Sequence, residues 1–187
     1  MSNITKRAMA QSLKKMLKIK ELDKITITDI TNDCGINRQT FYYHFKDIYD
    51  LLEWIFANEV VEKIEKETTI ETWQENFKYV LNYMLKNKKF IIKTYNSLSR
   101  KTLLDFLFNQ YNTIFIEIVN DLSKNYNITK ENKIFIANFY KYGFAGIIEN
   151  WIVTEMKESP ENIIKKLDVM ISGSFEEAVK KMSNKKL

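Results

Sequence analysis

Four glycines and one proline are all that this chain has to turn with over 187 residues. A sheet needs a tight turn every few positions, and tight turns draw on those two residues. A chain so short of both is expected to be built from long helices with few breaks. Lys, Glu and Leu, all good helix formers, are abundant. An apolar fraction of 45%, with 13% aromatic, is enough to fill a core and excludes a disordered chain. The expected fold class is all-α, with about nine helices.

Periodicity and capping residues place those helices. Met9, Leu13, Met16 and Leu17 share a face over residues 5–20. Thr26 followed by Asp29 is a capping-box pattern that opens a short helix, ended by Gly35. Asn37 is placed to cap a helix from Arg38 to Phe45, and Asp47 the next, which buries Ile48, Leu51, Leu52, Ile55 and Phe56 and runs to about Lys66. Thr68 to Glu71 is a further capping signal, followed by Trp73, Phe77, Val80, Leu81 and Met84 at helical spacing. A short piece spans Lys88 to Tyr95, and a long helix runs from Ser99 to about Asn125. Thr129 caps another to about Lys157, and Ser159 with Pro160 opens a single last helix to Met182, with a frayed tail beyond. Two domains are expected: residues 1–46, and residues 47–187 with the helix at about 47–66 as connector.

Charge is concentrated at one end. Residues 1–46 hold nine Lys or Arg against four acids, so the whole net charge of +5 lies there, and the remaining residues balance. A basic head on a neutral body suits a polyanion such as nucleic acid. Cys34 is the only cysteine, which excludes an internal disulfide and a multi-cysteine metal site and fits a reducing compartment. No apolar run is long enough for a membrane span, and the N-terminus has no secretory pattern, so a cytoplasmic protein without membrane association is expected. No Gly-rich phosphate loop, His/Cys cluster or nucleophile elbow is present, so neither an enzyme nor a bound cofactor or metal is expected.

The segment from Thr26 to Phe45 holds two short helices joined by Gly35, Ile36 and Asn37, the outline of a helix-turn-helix. On the second helix Phe41 and Phe45 share a face and belong to the core. Arg38, Gln39, Thr40, Tyr42 and Tyr43 are left to point outward. Arg suits guanine and Gln suits adenine in a major groove, and the hydroxyls suit phosphates. His44 has three readings, as a catalytic base, a structural residue at a helix end or a phosphate-side donor. Thr26, Thr28 and Lys46 complete the candidate DNA face.

The stretch TITDITNDCGINRQTFYYHFKDIYDLL resembles the DNA-binding domain of the TetR/AcrR family of bacterial transcription regulators. The matching positions are Thr26, Ile30, Gly35, Thr40, Phe41, Tyr42, His44, Phe45, Leu51 and Leu52. The resemblance implies a homodimeric regulator, more often a repressor, that binds a near-palindromic operator in double-stranded DNA. It implies phosphate contact for His44. Two positions depart from the family pattern: Cys34 stands where Ala is usual, and Ile48 where a phosphate-contacting Lys is usual. The latter leaves Lys46 and the helix-four N–H groups to fill that role, and keeps open an adaptor or coactivator-dependent activator with weakened DNA binding.

Residues 139–164 are similar to the C-terminal part of a subgroup that includes the DhaS-type regulators of dihydroxyacetone kinase operons. The resemblance implies dimerisation through residues 130–157 and 160–182, with Gly143, Gly146, Ile147, Trp151, Leu167, Met170 and Ile171 at the interface. Trp73, Phe77, Tyr95, Phe108, Tyr111 and Phe115 are either ordinary helical core or the lining of an effector pocket. Control by a small-molecule effector or by a coregulator protein fits the resemblance equally.

Overall fold

The computed structural model describes residues 2–59, 69, 72–97 and 100–183. The expected run of the fourth helix beyond residue 59, Thr68 and Glu71 of the expected cap, a helix start at Ser99, and the tail over residues 184–187 lie outside these. The helices are α1 (Ser2–Met16), α2 (Ile27–Cys34), α3 (Arg38–His44), α4 (Ile48–Glu59), α5 (Trp73–Lys86), α6 (Lys88–Tyr95), α7 (Arg100–Leu122), α8 (Lys130–Val153), α9 (Pro160–Ile171) and α10 (Ser174–Met182). A 3-10 turn, Leu22–Lys24, follows α1, and no β-strand occurs among the described residues. The protein is all-α.

Two compact units share these helices. One holds α1–α4, α6 and the start of α7 up to Phe106; the other holds α5, the rest of α7, and α8 to α10.

In the first unit α1 packs against α2 and α4. Met9, Leu13, Leu17, Ile30, Phe41, Leu51, Leu52 and Ile55 are wholly buried. Burying eight such side chains is worth roughly 1.5–3 kcal/mol each, which holds the short α2 and α3 in place. Neither helix is long enough to be stable alone. Their ends are set as the sequence indicates. Thr26 and Asp29 exchange the capping-box hydrogen bonds, and Gly35 takes the left-handed conformation (φ 64°) that a side chain would strain. Asn37 accepts the Thr40 N–H at 2.8 Å. Cys34 is half-buried, and burial pushes its thiol up from the ordinary value.

In the second unit α5 lies on α9, and α10 touches both α8 and α9. Two expectations change here. The last helix is not continuous: α9 stops at Ile171, and the chain turns through Ser172 and Gly173 (φ 73°) before α10. Met170, expected at the dimer interface, lies near the end of α9 and is 75% exposed. The second change is at the end of α8, which stops at Val153 instead of about Lys157. There Glu155 and Met156 both adopt positive φ, and the Met156 N–H folds back to the Trp151 carbonyl at 2.7 Å. The buried Met156 side chain and the Trp151 indole N–H, which donates to the Glu158 carbonyl at 2.8 Å, hold that reversal.

Candidate functional site

Helix α3 is anchored from beneath. Phe41 is fully buried and Phe45 nearly so, with rings 5.9 Å apart. The remaining residues of α3 are thereby turned outward. Tyr43 is 82% exposed and Tyr42 50%, and Arg38 and Gln39 are also exposed. The Arg38 guanidinium leans on Tyr42, donating to its hydroxyl at 3.4 Å and lying 6.0 Å from the ring centre. The Thr40 hydroxyl donates to the Asn37 side chain at 2.9 Å, so its orientation is set by the cap. His44 is half-buried against Tyr43, ring centres 4.9 Å apart. Thr26 and Thr28 stand exposed at the start of α2, and Lys46 is exposed after α3. The nine residues expected on one face thus come from three adjacent pieces of chain, with a capping box fixing one and an Asn cap another.

The charge in this unit is selectively compensated. Lys14 pairs with Glu59, Lys15 with Asp33 and Lys20 with Asp29. Hydrogen bonds from the Thr26 N–H and hydroxyl, then Lys20, hold the Asp29 carboxyl below its ordinary value. Arg7, Lys18, Lys24, Arg38 and Lys46 have no carboxylate partner among the described residues. Uncompensated cations favour an anionic polymer. The first turn of α4 is different. The Asp50 N–H donates to Asp47 at 2.9 Å, and the Lys46 N–H donates to the Asp50 carboxylate at 2.8 Å. One of the α4 N–H groups expected to receive a phosphate, that of Asp50, is already satisfied by a carboxylate.

In the second unit, four of the expected pocket residues come together. Trp73, Phe77, Tyr111 and Phe115 line a cavity of about 20 Å³ with Asn76, Val80, Ile114 and Phe144. Phe144 closes it edge-on, 5.0 Å from Phe77 and 4.8 Å from Phe115 between ring centres. The Tyr111 hydroxyl is buried without a hydrogen-bond partner among the described residues, and burial pushes its ionisation well above the ordinary range. Tyr95 belongs to the first unit, and Phe108 packs edge-on against Tyr142 instead of lining the cavity. Asn76, Val80, Ile114 and Phe144 were missed, though Asn76 and Val80 share the helical face of Trp73 and Phe77. Polarity at Asn76 masked that pattern.

The expected interface residues fall into two groups. Gly143, Gly146, Ile147 and Met170 are exposed, whereas Trp151, Leu167 and Ile171 are core of the unit itself. A Cβ placed on Gly143 or Gly146 would meet nothing within 4 Å. Along the same side of α8, Phe135, Phe139, Tyr142 and Val153 are each more than half exposed.

Residues 71–173 match a TetR-type family model described as transcriptional regulator C-terminal region. A curated protein of Lactococcus lactis subsp. lactis (strain IL1403), the HTH-type dhaKLM operon transcriptional activator DhaS, is 27% identical over 154 residues, 81% of each chain. A solved structure, the dihydroxyacetone kinase operon activator DhaS, shares this fold. Its TM-score is 0.69 at 24% identity, covering 97% of this chain and 99% of that one.

Proposed function

The chain belongs to the transcriptional regulators of the TetR type, and from that premise we propose that it binds a near-palindromic operator in double-stranded DNA as a homodimer, with α3 in the major groove. The observation that carries this is the exposed face of α3 on its buried Phe41–Phe45 anchor, set among cations without acidic partners. Arg38 and Gln39 read base edges; Thr26, Thr28, Thr40, Tyr42, Tyr43, His44 and Lys46 position the phosphates. A head at residues 1–46 then binds DNA, and residues 47–187 sense and dimerise.

The homodimer reading is supported by α8. A glycine inside an exposed helix costs about 1 kcal/mol relative to Ala. Among the described residues nothing lies within 4 Å of a Cβ placed on Gly143 or Gly146, so a second helix approaching closely gives them a purpose. Twofold symmetry sets two α3 helices about one DNA turn apart. Control comes from an effector or a coregulator that biases the body between two arrangements and so changes half-site spacing. An effector acting at the aromatic cavity beside the Tyr111 hydroxyl would have to open it, since its volume of about 20 Å³ has room for little more than one water.

Selection of bound genomic fragments followed by footprinting tests the proposal. Tyr42→Phe and Thr40→Ala should each weaken binding to the selected duplex about fivefold or more, as the loss of a charge-assisted phosphate bond implies, with the oligomeric state unchanged. Unchanged affinity in both would remove α3 from the interface. A second reading, activation instead of repression, is favoured by the relative named as an activator. A reporter fused to the selected promoter separates them: expression falls on deleting an activator and rises on deleting a repressor.

A further inference from the structure

A row of rings leads from the exposed side of α3 back into α4. Tyr43, His44, Phe45 and Trp54 follow one another with centres 4.9, 6.4 and 6.0 Å apart. Lys6 of α1 closes the row. Its Nζ lies 5.5 Å from the centre of Phe45 and 5.9 Å from that of Trp54. Lys6 has no carboxylate partner among the described residues, unlike Lys14, Lys15 and Lys20 further along the same segment.

The way Lys6 is held matters. A carboxylate would fix an ammonium and neutralise it together. Two ring faces fix it through their quadrupoles and leave the charge whole. An approaching anion therefore gains a positioned cation without first breaking an ion pair. The surroundings call for such a cation. Asp47 and Asp50 place two carboxylates at the first turn of α4, immediately after α3, and the residue between Asp47 and Tyr49 is the apolar Ile48. A polyanion meeting the end of α3 encounters that negative charge, with Lys6 and Lys46 to offset it.

We propose that Lys6 is a phosphate-anchoring residue, positioned by Phe45 and Trp54 at the C-terminal end of α3 to neutralise one backbone phosphate of duplex DNA per subunit. This assignment rests on the DNA-binding reading above. It adds a cation from α1 to a contact face otherwise drawn from residues 26–46.

The experiment compares the full-length protein with Lys6→Gln and Lys6→Arg. The probe is the duplex recovered by genomic selection, titrated between about 50 and 200 mM salt. Lys6→Gln should bind about tenfold or more weakly, and its plot of log K against log salt should flatten by about 0.9 per subunit. Lys6→Arg, which keeps charge and ring contact, should retain the wild-type slope. A random-sequence duplex should lose affinity in the same proportion, because a phosphate contact carries no base information. A Lys6→Gln slope equal to wild type overturns the assignment even if affinity falls, since Lys6 would then only pack on the rings. Failure of the wild-type protein to bind any duplex at about 50 mM salt removes the DNA reading and this assignment with it. Binding with an unmoved slope removes this assignment alone.

Discussion

Tyr111 illustrates a residue whose chemistry departs from its surroundings. Its hydroxyl is buried among aromatic rings and donates to nothing among the described residues, which costs about 1–3 kcal/mol relative to a satisfied group. Tyr111→Phe should therefore raise the stability of the free protein by about 1 kcal/mol, seen as a higher urea midpoint. A lower midpoint would show that the hydroxyl has a stabilising partner, such as a bound water. Thr26 lies at the other extreme, with its capping box complete. Because folding lowers the Asp29 pKa below its ordinary 3.8, that carboxylate stabilises the fold above this value. Its contribution is lost as pH falls through the lower folded value. Thr26→Ala should cost about 1 kcal/mol at neutral pH and flatten the acid side of the stability profile. Chemical melts between about pH 6 and pH 3 measure both.

Among the elements, α8 shows how packing overrides a local rule. Its end has no glycine, and Glu155 sits at φ 55°. For a residue with a side chain that conformation costs about 1–2 kcal/mol. Met156 repeats the strain at φ 50° but buries its side chain, so the core holds the turn in place. Glu155, which is exposed, contributes strain without burial. Glu155→Gly should stabilise by up to about 1 kcal/mol, less than the full strain because glycine also loosens the unfolded chain. A thermal melt with no gain would place the strain elsewhere in the turn. Periodicity alone carries the helix on to Lys157, because it registers apolar spacing and not the fold-back of the Met156 N–H onto Trp151.

At the scale of the whole molecule, the exposed apolar side of α8 is the largest departure from what a lone chain requires. Phe135 at 63% exposure and Phe139 at 69% are costly to leave in water. In the proposed homodimer they are covered, and Gly146 allows the second helix close. Gly146→Leu should keep the helical content of the isolated chain and raise its stability by up to about 1 kcal/mol, since a Cβ there meets nothing among the described residues within 4 Å and leucine is the better helix former. It should shift sedimentation from dimer to monomer at micromolar concentration. A dimer of unchanged affinity would move the interface off this side of α8.

The sequence by itself determined the helical class, the capping of α2 and α3, and the outward residues of α3. Each follows from interactions within a few positions along the chain: glycine scarcity, Thr26 with Asp29, Asn37 with Thr40, and Phe41 with Phe45 one turn apart. Four of the eight residues lining the cavity were also legible, because helical spacing collects Trp73 with Phe77 and Tyr111 with Phe115. Tertiary structure alone decided the rest. It set Lys6 over rings of α3 and α4, filled the α4 first turn with carboxylates, moved Phe108 away from the cavity, and buried Trp151, Leu167 and Ile171 in their own unit. These outcomes depend on which elements meet. Periodicity gives the face of a helix that is buried, but it does not identify the helix that buries it.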